Sequence, residues 1–366
     1  MKTKILIVLE DTNRGGAETQ ALLLAKGLIS RGHLVEILSF GSTKGSYWSE
    51  LENLGVPIHL TGFKSKLIYS PQKGLKSSLL RIKCIIQLIY QVRKIKPHVI
   101  LPFTYPPNII MGQFWKYMGA KKCFWNQRDE GRMFLGKKKE IKALRNMSKI
   151  ISNNKEGSDF LYNYTSKEIV VISNGVLFPI LGNKIIKNNA INVVMIANFN
   201  GYKDHITLLK SWRLVINSIE HKKVMLLLAG RDADKIQEIK NYIDENKLCK
   251  HLKILGTVSN ISSLLEESHI GVFSSLKEGL PNGILECMAA GLPVVATRIS
   301  GALEALGEDY PYLSEPQDYI SLANQLLFFI HSESERIKIG QQNRARIKTH
   351  FSIEKMVDSY ESLIIG

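Results

Sequence analysis

The chain reads as an α/β protein built from two doubly wound domains that face each other across a cleft. Three observations predict this. Short aliphatic runs alternate with longer stretches of helical period along the 366 residues, which is the pattern of parallel strands joined by crossover helices. The alternation breaks once, at Leu177–Asn189, where Pro179, Gly182 and a polar run read as a linker. The length also exceeds what one typical core serves. The expected boundaries are 1–178 for an N-terminal domain, 190–350 for a C-terminal domain, and 351–366 for a final helix able to pack back across the domain boundary.

In the first domain, strands are expected at Lys4–Leu9, Val35–Phe40, Val56–Leu60, Val99–Phe103, Cys123–Asn126, Lys149–Ser152 and Ile169–Ile172. The first of these is too short for a signal peptide or a membrane span, and no later run of eighteen apolar residues occurs. A helix at Ala17–Ser30 is entered through Asn13-Arg14-Gly15-Gly16. Paired glycines allow a ligand to approach the backbone closely, and the unpartnered N–H groups of a helix start favour an anion. A tight strand-to-helix turn calls for glycine anyway, so Gly15 and Gly16 do not decide the matter alone.

Pro71–Lys94 is the most unusual segment of this half. Leu75, Leu79, Ile82, Ile86, Ile89 and Val92 recur at helical spacing, with Lys76, Arg81, Lys83, Arg93 and Lys94 supplying charge. Two readings stay open, a core helix with a solvated basic side and a basic amphipathic helix near a bilayer surface. The net charge of +16 is unevenly placed. The first 180 residues hold 28 Lys and Arg against 12 Asp and Glu, whereas the remainder holds 21 of each. No acidic residue occurs from Asn53 to Arg128. One half of the chain is therefore suited to an anionic partner, here an anionic membrane surface. Zinc-finger spacing, aromatic RNA-binding runs and helix-turn-helix patterns are all missing, so nucleic acid is not expected.

In the second domain, strands are expected at Asn192–Ala197, Val224–Ala229, Leu252–Leu255, Ile270–Ser274 and Val294–Thr297, with helices at His205–Ile216, Asp234–Glu245, Ser262–Glu267, Gly283–Ala290 and Gln317–Phe329. A last helical pattern covers Ser352–Ile365. The chemistry concentrates in Ser275–Gly291. There a turn carrying Gly279, Pro281, Asn282 and Gly283 leads into a helix expected to begin at Asn282 or Gly283. Glu278 precedes that helix and Glu286 is placed in its first turn. Carboxylates beside an anion-attracting helix start fit a ligand with both hydroxyls and phosphates, such as a sugar nucleotide. Glu286 also fits half a capping box with Gly283 as N-cap, whereas Glu278 has no such local role.

A helix start offers only about half an elementary charge, and a departing diphosphate carries several negative charges. At least one full cation is needed. Lys203 is the leading candidate, standing just before a helix that Asp204 can cap.

From Val193 to Glu304 these features stand in a fixed order. Lys203 and its helix are followed by LLLAGRD, ILGTVSNISSLL, SHIGVFSSLKEGLPNGILECMAAGLPVVAT and SGALEAL, with seven residues between Glu278 and Glu286. GGAE at Gly15–Glu18, GHLVEIL and Ser173-Asn174-Gly175-Val176 belong to the same pattern. The set resembles the family-4 retaining glycosyltransferases, of the group 1 glycosyl transferase type. The likeness covers most of the chain and is faintest between Phe63 and Met147. It implies the GT-B architecture of two Rossmann-like domains. It further implies that Glu286 meets the ribose hydroxyls, and that Glu278 binds the donor sugar and steadies positive charge at its anomeric carbon. The diphosphate would lie against Gly279, Leu280, Pro281, Asn282 and the helix start, with Gly15 and Gly16 from the other domain. The backbone at Thr257 and Val258 would meet the base.

Two departures from the family pattern stand out. Asn198 occupies the position of an arginine that contacts the diphosphate, and Arg231 is the residue able to compensate. Arg128 aligns with a histidine placed near the reaction centre, and is read as a contact for donor or acceptor phosphate. Asp232-Ala233-Asp234 resembles a metal-binding triplet but stands where a helix cap is expected, and the four cysteines have no metal-ligand or redox spacing. Neither a metal nor another cofactor is expected. Buried cysteines in a reducing cytosol are the simplest reading.

The function implied is transfer of a sugar, with retention, from a UDP- or GDP-sugar to a hydroxyl. The implied acceptor is a lipid-linked saccharide in the synthesis of O-antigen, capsule or exopolysaccharide, and the implied location is the cytoplasm, peripheral at the inner face of the membrane. A nucleotide-sugar epimerase of the same fold and a non-catalytic sugar-nucleotide-binding protein remain as other readings.

Overall fold

A computed structural model describes residues 2–70, 73–179, 190–219 and 223–366. The chain divides into two compact units. Unit 1 comprises the chain up to Gly175 together with Ile353–Gly366, and unit 2 is Val176–Ser352. Residues 180–189 of the expected linker lie outside the described residues.

Unit 1 contains a seven-stranded parallel sheet made of β1 (Lys4–Leu9), β2 (Leu34–Ser39), β3 (Ile58–Leu60), β4 (Val99–Pro102), β5 (Lys122–Gln127), β6 (Lys149–Ser152) and β7 (Ile169–Val171), in the order β3-β2-β1-β4-β5-β6-β7. Central strands of such a sheet are covered on both faces, which explains the unbroken apolar run of β1. Its alternating side chains divide accordingly, Leu6 and Val8 entering one core and Ile5, Ile7 and Leu9 the other.

The second of these cores is completed by the last helix of the chain, Ile353–Ile365, through Met356, Val357, Tyr360 and Ile364. Gly27, on the helix Gly16–Ser30, makes this contact possible, because a Cβ there would lie 2.3 Å from Val357 Cγ2. Glu361 closes the edge by accepting from Arg31 at 2.5 Å and pairing with His33 at 2.9 Å.

The helix Leu75–Ile95 departs from the single apolar face read in the sequence. Its buried face is Cys84, Leu88, Val92 and Ile95, while Leu75, Leu79, Ile82 and Ile86 are exposed. Leu and Ile at helical spacing mark a face but do not say which way it turns. Here two apolar stripes run along one helix, and the shorter residues Cys84 and Val92 face the sheet.

Unit 2 contains a six-stranded parallel sheet of β8 (Ala190–Ile196), β9 (Lys223–Ala229), β10 (Leu252–Gly256), β11 (Ile270–Phe273), β12 (Val294–Thr297) and β13 (Leu313–Ser314), in the order β10-β9-β8-β11-β12-β13. In both units the strand order reverses beside the first strand, between β1 and β4 and between β8 and β11. Chain connections leave such a point in opposite directions, so a crevice opens outside the strand C-termini, where ligands bind in this class of sheet. Among the described residues no helix is long and apolar enough to cross a membrane.

Candidate active site

The crevice of unit 2 brings Lys203 and Glu278 together. Lys203 follows β8 and Glu278 follows β11, and their side chains form an ion pair. Both are largely withdrawn from solvent, the Glu278 side chain 9% exposed and that of Lys203 15%. Ser275 Oγ donates to the same Glu278 oxygen at 3.0 Å, which fixes the carboxylate from below.

The turn that presents Lys203 is held with unusual care. Asp204 adopts the left-handed conformation (φ 46°, ψ 49°), which Asp tolerates better than most residues. Ser274 Oγ, at the end of β11, lies 3.2 Å from the Lys203 carbonyl and 2.9 Å from that of Asp204, one donor shared between two acceptors. The Asp204 side chain then caps the helix His205–Asn217 by accepting from the Thr207 N–H at 3.3 Å. Leu276 N–H donates to the Tyr202 carbonyl at 2.8 Å, which ties the two loops together.

His205 opens that helix and is buried against Phe199, with ring centroids 4.8 Å apart. Burial, with a smaller contribution from the charge of Lys203, pushes its pKa down to about 3. The imidazole is therefore neutral at physiological pH and adds no charge beside Lys203.

Beyond Glu278 the chain enters the helix Asn282–Ala289 through Pro281 as N-cap. This corrects two expectations. Glu286 is the fifth helical residue and lies beyond the first turn, and Gly283 is inside the helix, so the proposed capping box does not form. Gly283 serves packing instead, since a Cβ there would meet the Ile196 carbonyl oxygen at 2.4 Å. The missing side chain lets the helix start sit directly against the end of β8. Pro281 contributes shape and no donor, because proline has no N–H. Leu280 and Pro281 are buried, whereas Asn282 and Glu286 are half-buried.

Gly301 is a positioning residue absent from the sequence-based site. A Cβ on it would fall 1.7 Å from the Gly279 carbonyl oxygen and 2.9 Å from that of Glu278. The helix Ser300–Leu306 thus supports the Glu278–Gly279 backbone from behind. The glycine of SGALEAL was the available signal, but no helix was expected there and a lone glycine is too common to single out.

Asn198 and Arg231 sit on the loops after β8 and β9. The Asn198 side-chain oxygen accepts from the Arg231 N–H at 3.0 Å, while the Arg231 carbonyl accepts from Phe199 N–H at 3.1 Å. Asn198 therefore positions the backbone that carries Arg231, whose side chain is exposed. Val258 follows β10, half-buried against the same core. Asp232 and Asp234 are not helix caps, the next helix being Ile236–Glu245 with Lys235 at its N-cap. Among the described residues no group of three or more His, Cys, Asp or Glu is placed to hold a metal ion.

Gly15, Gly16 and Arg128 belong to unit 1. Gly15 is the N-cap of the helix Gly16–Ser30, in extended backbone (φ −152°, ψ 172°), and a Cβ there would lie 2.3 Å from Glu18 Oε2. Arg128 follows β5. Its Nη2 donates to Asn174 Oδ1 at 2.6 Å, its guanidinium lies 5.5 Å from the centre of the Phe103 ring, and its buried Nε has no protein partner. Burial lowers its pKa, countered by the nearby Tyr360 and Glu18. Gln20 joins this loop cluster by a two-way bond with the backbone of Gly175, at 2.9 and 3.0 Å.

Residues 182–346 match the family model of the glycosyl transferases group 1. That stretch holds the whole unit 2 site, from Asn198 and Lys203 to Gly301. The chain is 27% identical over 175 residues to the N-acetyl-alpha-D-glucosaminyl L-malate synthase of Bacillus anthracis, covering 47% of this chain and 44% of that protein. It is also 27% identical over 183 residues to the UDP-Gal:alpha-D-GlcNAc-diphosphoundecaprenol alpha-1,3-galactosyltransferase of Escherichia coli, covering 49% and 46%. The chain thus matches about half the length of these curated relatives. The crystal structure of Anabaena HepE in complex with UDP and glucose superposes with a TM-score of 0.84 at 18% identity over all of both chains. The fold is GT-B. Its two units are the doubly wound, Rossmann-like domains described above.

Proposed function

We propose that this protein is a glycosyltransferase that takes a sugar from a nucleoside-diphosphate sugar to a hydroxyl acceptor, with the unit 2 crevice as its donor site. The observation that carries the reading is the Lys203–Glu278 pair at the reversal of strand order, beside the start of the helix Asn282–Ala289 and within the stretch that matches the family model. In this reading Lys203 and the helix start balance the departing diphosphate. Glu278 holds sugar hydroxyls and the developing charge at the anomeric carbon. Glu286 accepts from the ribose, the loop at Val258 meets the base, and Arg231 stands near the diphosphate where Asn198 supplies no charge. Gly15, Gly16 and Arg128, in unit 1, are proposed as phosphate-binding residues of that unit.

Chemically, leaving-group stabilisation is the largest contribution. A donor placed where negative charge develops is worth about 3 kcal/mol in a dry site. The acceptor hydroxyl attacks from the side that the diphosphate leaves, so configuration is retained, and Lys203 fills the charge role that a metal ion takes in other transferases. The E. coli relative named for a UDP-galactose donor and a diphosphoundecaprenol-linked sugar supports a UDP-sugar and a lipid-linked saccharide acceptor; a GDP-sugar is the other donor that the sequence reading allows. Such an acceptor would hold the enzyme at the inner face of the cell membrane, in the assembly of a surface polysaccharide.

The test is sugar transfer from a panel of UDP- and GDP-sugars to lipid-linked saccharides, with Glu278→Gln and Glu286→Ala beside the parent. Product with retained anomeric configuration, greatly reduced in both variants, supports the reading. Unchanged turnover in both variants removes it, and conversion of the donor without any acceptor identifies an epimerase instead.

A further inference from the structure

The helix Leu75–Ile95 carries a second apolar stripe that nothing in the described structure covers. Leu75, Leu79, Ile82, Ile86 and Tyr90 are 78%, 59%, 53%, 63% and 68% exposed. At about 100° per residue they fall on one line along the helix, on the side away from the buried Cys84, Leu88, Val92 and Ile95. From Leu75 to Tyr90 that line is about 22 Å long. A solvent face this apolar is unusual in a helix whose opposite face already fills a core.

Its surroundings say what it meets. Lys76 and Lys83 flank the line and are exposed, Lys73 precedes the helix, and Arg93 and Lys94 stand at its far end. No carboxylate occurs anywhere from residue 53 to residue 128 to offset them. Arg93 Nε donates to the Tyr117 carbonyl at 2.7 Å, which brings a further exposed aromatic residue to the same end. A row of Leu and Ile bordered by uncompensated lysines, ending in tyrosines, is complementary to a surface that is apolar within and anionic at its edge.

We propose that the solvent face of Leu75–Ile95 docks on the surface of an anionic lipid bilayer. Leu75, Leu79, Ile82 and Ile86 enter the acyl boundary, Tyr90 lies at headgroup level, and Lys76 and Lys83 meet lipid phosphates. A protein partner would need carboxylates matched to the lysines along the whole line, whereas an anionic leaflet offers negative charge in every register. The docking face deepens the reading of a membrane-held acceptor, yet it is tested without any sugar.

The experiment is sedimentation of the full chain with vesicles of phosphatidylcholine mixed with phosphatidylglycerol, at low and high salt, with the oligomeric state measured in parallel. The parent sediments with anionic vesicles and is partly released by salt. Ile82→Glu/Ile86→Glu lowers the partition coefficient about a hundredfold, and Lys76→Gln/Lys83→Gln lowers it about thirtyfold at low salt. Both variants keep the parent's melting temperature and its binding of UDP, because none of these residues lies in a core or in the crevice of unit 2. Failure of the parent to bind anionic vesicles at low salt overturns the proposal, as does equal binding by the double glutamate variant. A parent dimer that Ile82→Glu/Ile86→Glu converts to monomer, without vesicle binding, would assign the stripe to a second copy of the chain. Loss of UDP binding in the parent would instead count against the donor site and leave the docking result standing.

Discussion

Lys203 and Glu278, 75 residues apart in sequence, neutralise each other at the ends of β8 and β11. Each half of the pair is the group that the proposed reaction needs, a cation for the diphosphate and a carboxylate for the sugar. The two satisfy one another, and under the proposed function a bound diphosphate would compete for the lysine.

Removing one partner should therefore show in both stability and activity. Glu278→Gln leaves Lys203 half-buried and unpaired, and Lys203→Ala does the same to Glu278. Each is expected to destabilise unit 2 by about 3 kcal/mol or somewhat less, given the residual exposure. Each should also lower kcat by roughly a hundredfold or more. The double variant is expected to be clearly more stable than the sum of the single losses predicts. Urea unfolding of the three variants measures this, and strict additivity would show that the pair is not an energetic unit.

Gly301→Ala tests the support behind the carboxylate loop. With the Gly279 carbonyl only 1.7 Å from the new Cβ, the loop must move. Overpacking of this kind costs about 1–3 kcal/mol. The variant should fold with a lower melting temperature and bind UDP more weakly. Parent-like values for both would place the loop elsewhere.

His205 gives a pH signature with a definite sign. Its folded pKa of about 3 lies below the ordinary histidine value of 6.5, so the unfolded chain takes up a proton that the folded chain refuses. The stability contribution is complete above pH 6.5 and is lost progressively as pH falls toward 3. The slope is at most about 1.4 kcal/mol per pH unit. Chemical denaturation of His205→Phe between pH 4 and 7, ranges of roughly that span being enough, should show a shallower slope than the parent. An unchanged slope would mean that the imidazole is not held neutral.

Asn198 and Arg231 form one structural unit, the amide oxygen holding the arginine's backbone at 3.0 Å. Arg231→Ala is expected to raise KM for the donor about tenfold, as loss of one charge-assisted contact would. Asn198→Ala should give a smaller rise with the same direction, since the arginine is retained but its loop is loosened. A larger effect from Asn198→Ala than from Arg231→Ala, in donor titrations of both, would contradict this arrangement.

Much of the fold was legible because parallel strands buried on both faces leave unbroken apolar runs such as Ile5–Leu9 and Val224–Ala229. Several helices, among them Tyr105–Phe114, Lys138–Asn146, Lys155–Tyr162 and Ser300–Leu306, were not read from the sequence, and two further elements escaped for opposite reasons. β13 is only Leu313–Ser314, too short to carry a period. The helix Glu333–His350 buries just Ile339, Gly340, Asn343 and Ile347, so polar residues hide its inner face. Glu278 and Lys203 were each readable as ligand residues because their types suited a charged ligand, while their pairing came only from the structure, where the strand order supplies the reason they meet. The turn of Glu286 in its helix was misplaced because Pro281, rather than Gly283, caps the start. Gly301, Ser274 and Ser275 were invisible as positioning residues, since small residues declare a role only through the backbone they touch. The apolar line from Leu75 to Tyr90 was visible as a period, but only packing tells which side of a helix faces water.

Under the proposed function the unit 2 crevice binds a nucleoside diphosphate through Lys203. Thermal unfolding with and without UDP and GDP, for the parent and for Lys203→Ala, tests it most directly, because a ligand that binds only the native state raises its melting temperature. A rise is expected for the parent with one of the two nucleotides, and a rise that is small or absent for Lys203→Ala relative to its own unliganded melt. No rise with either nucleotide, or an equal rise in the variant, would contradict it.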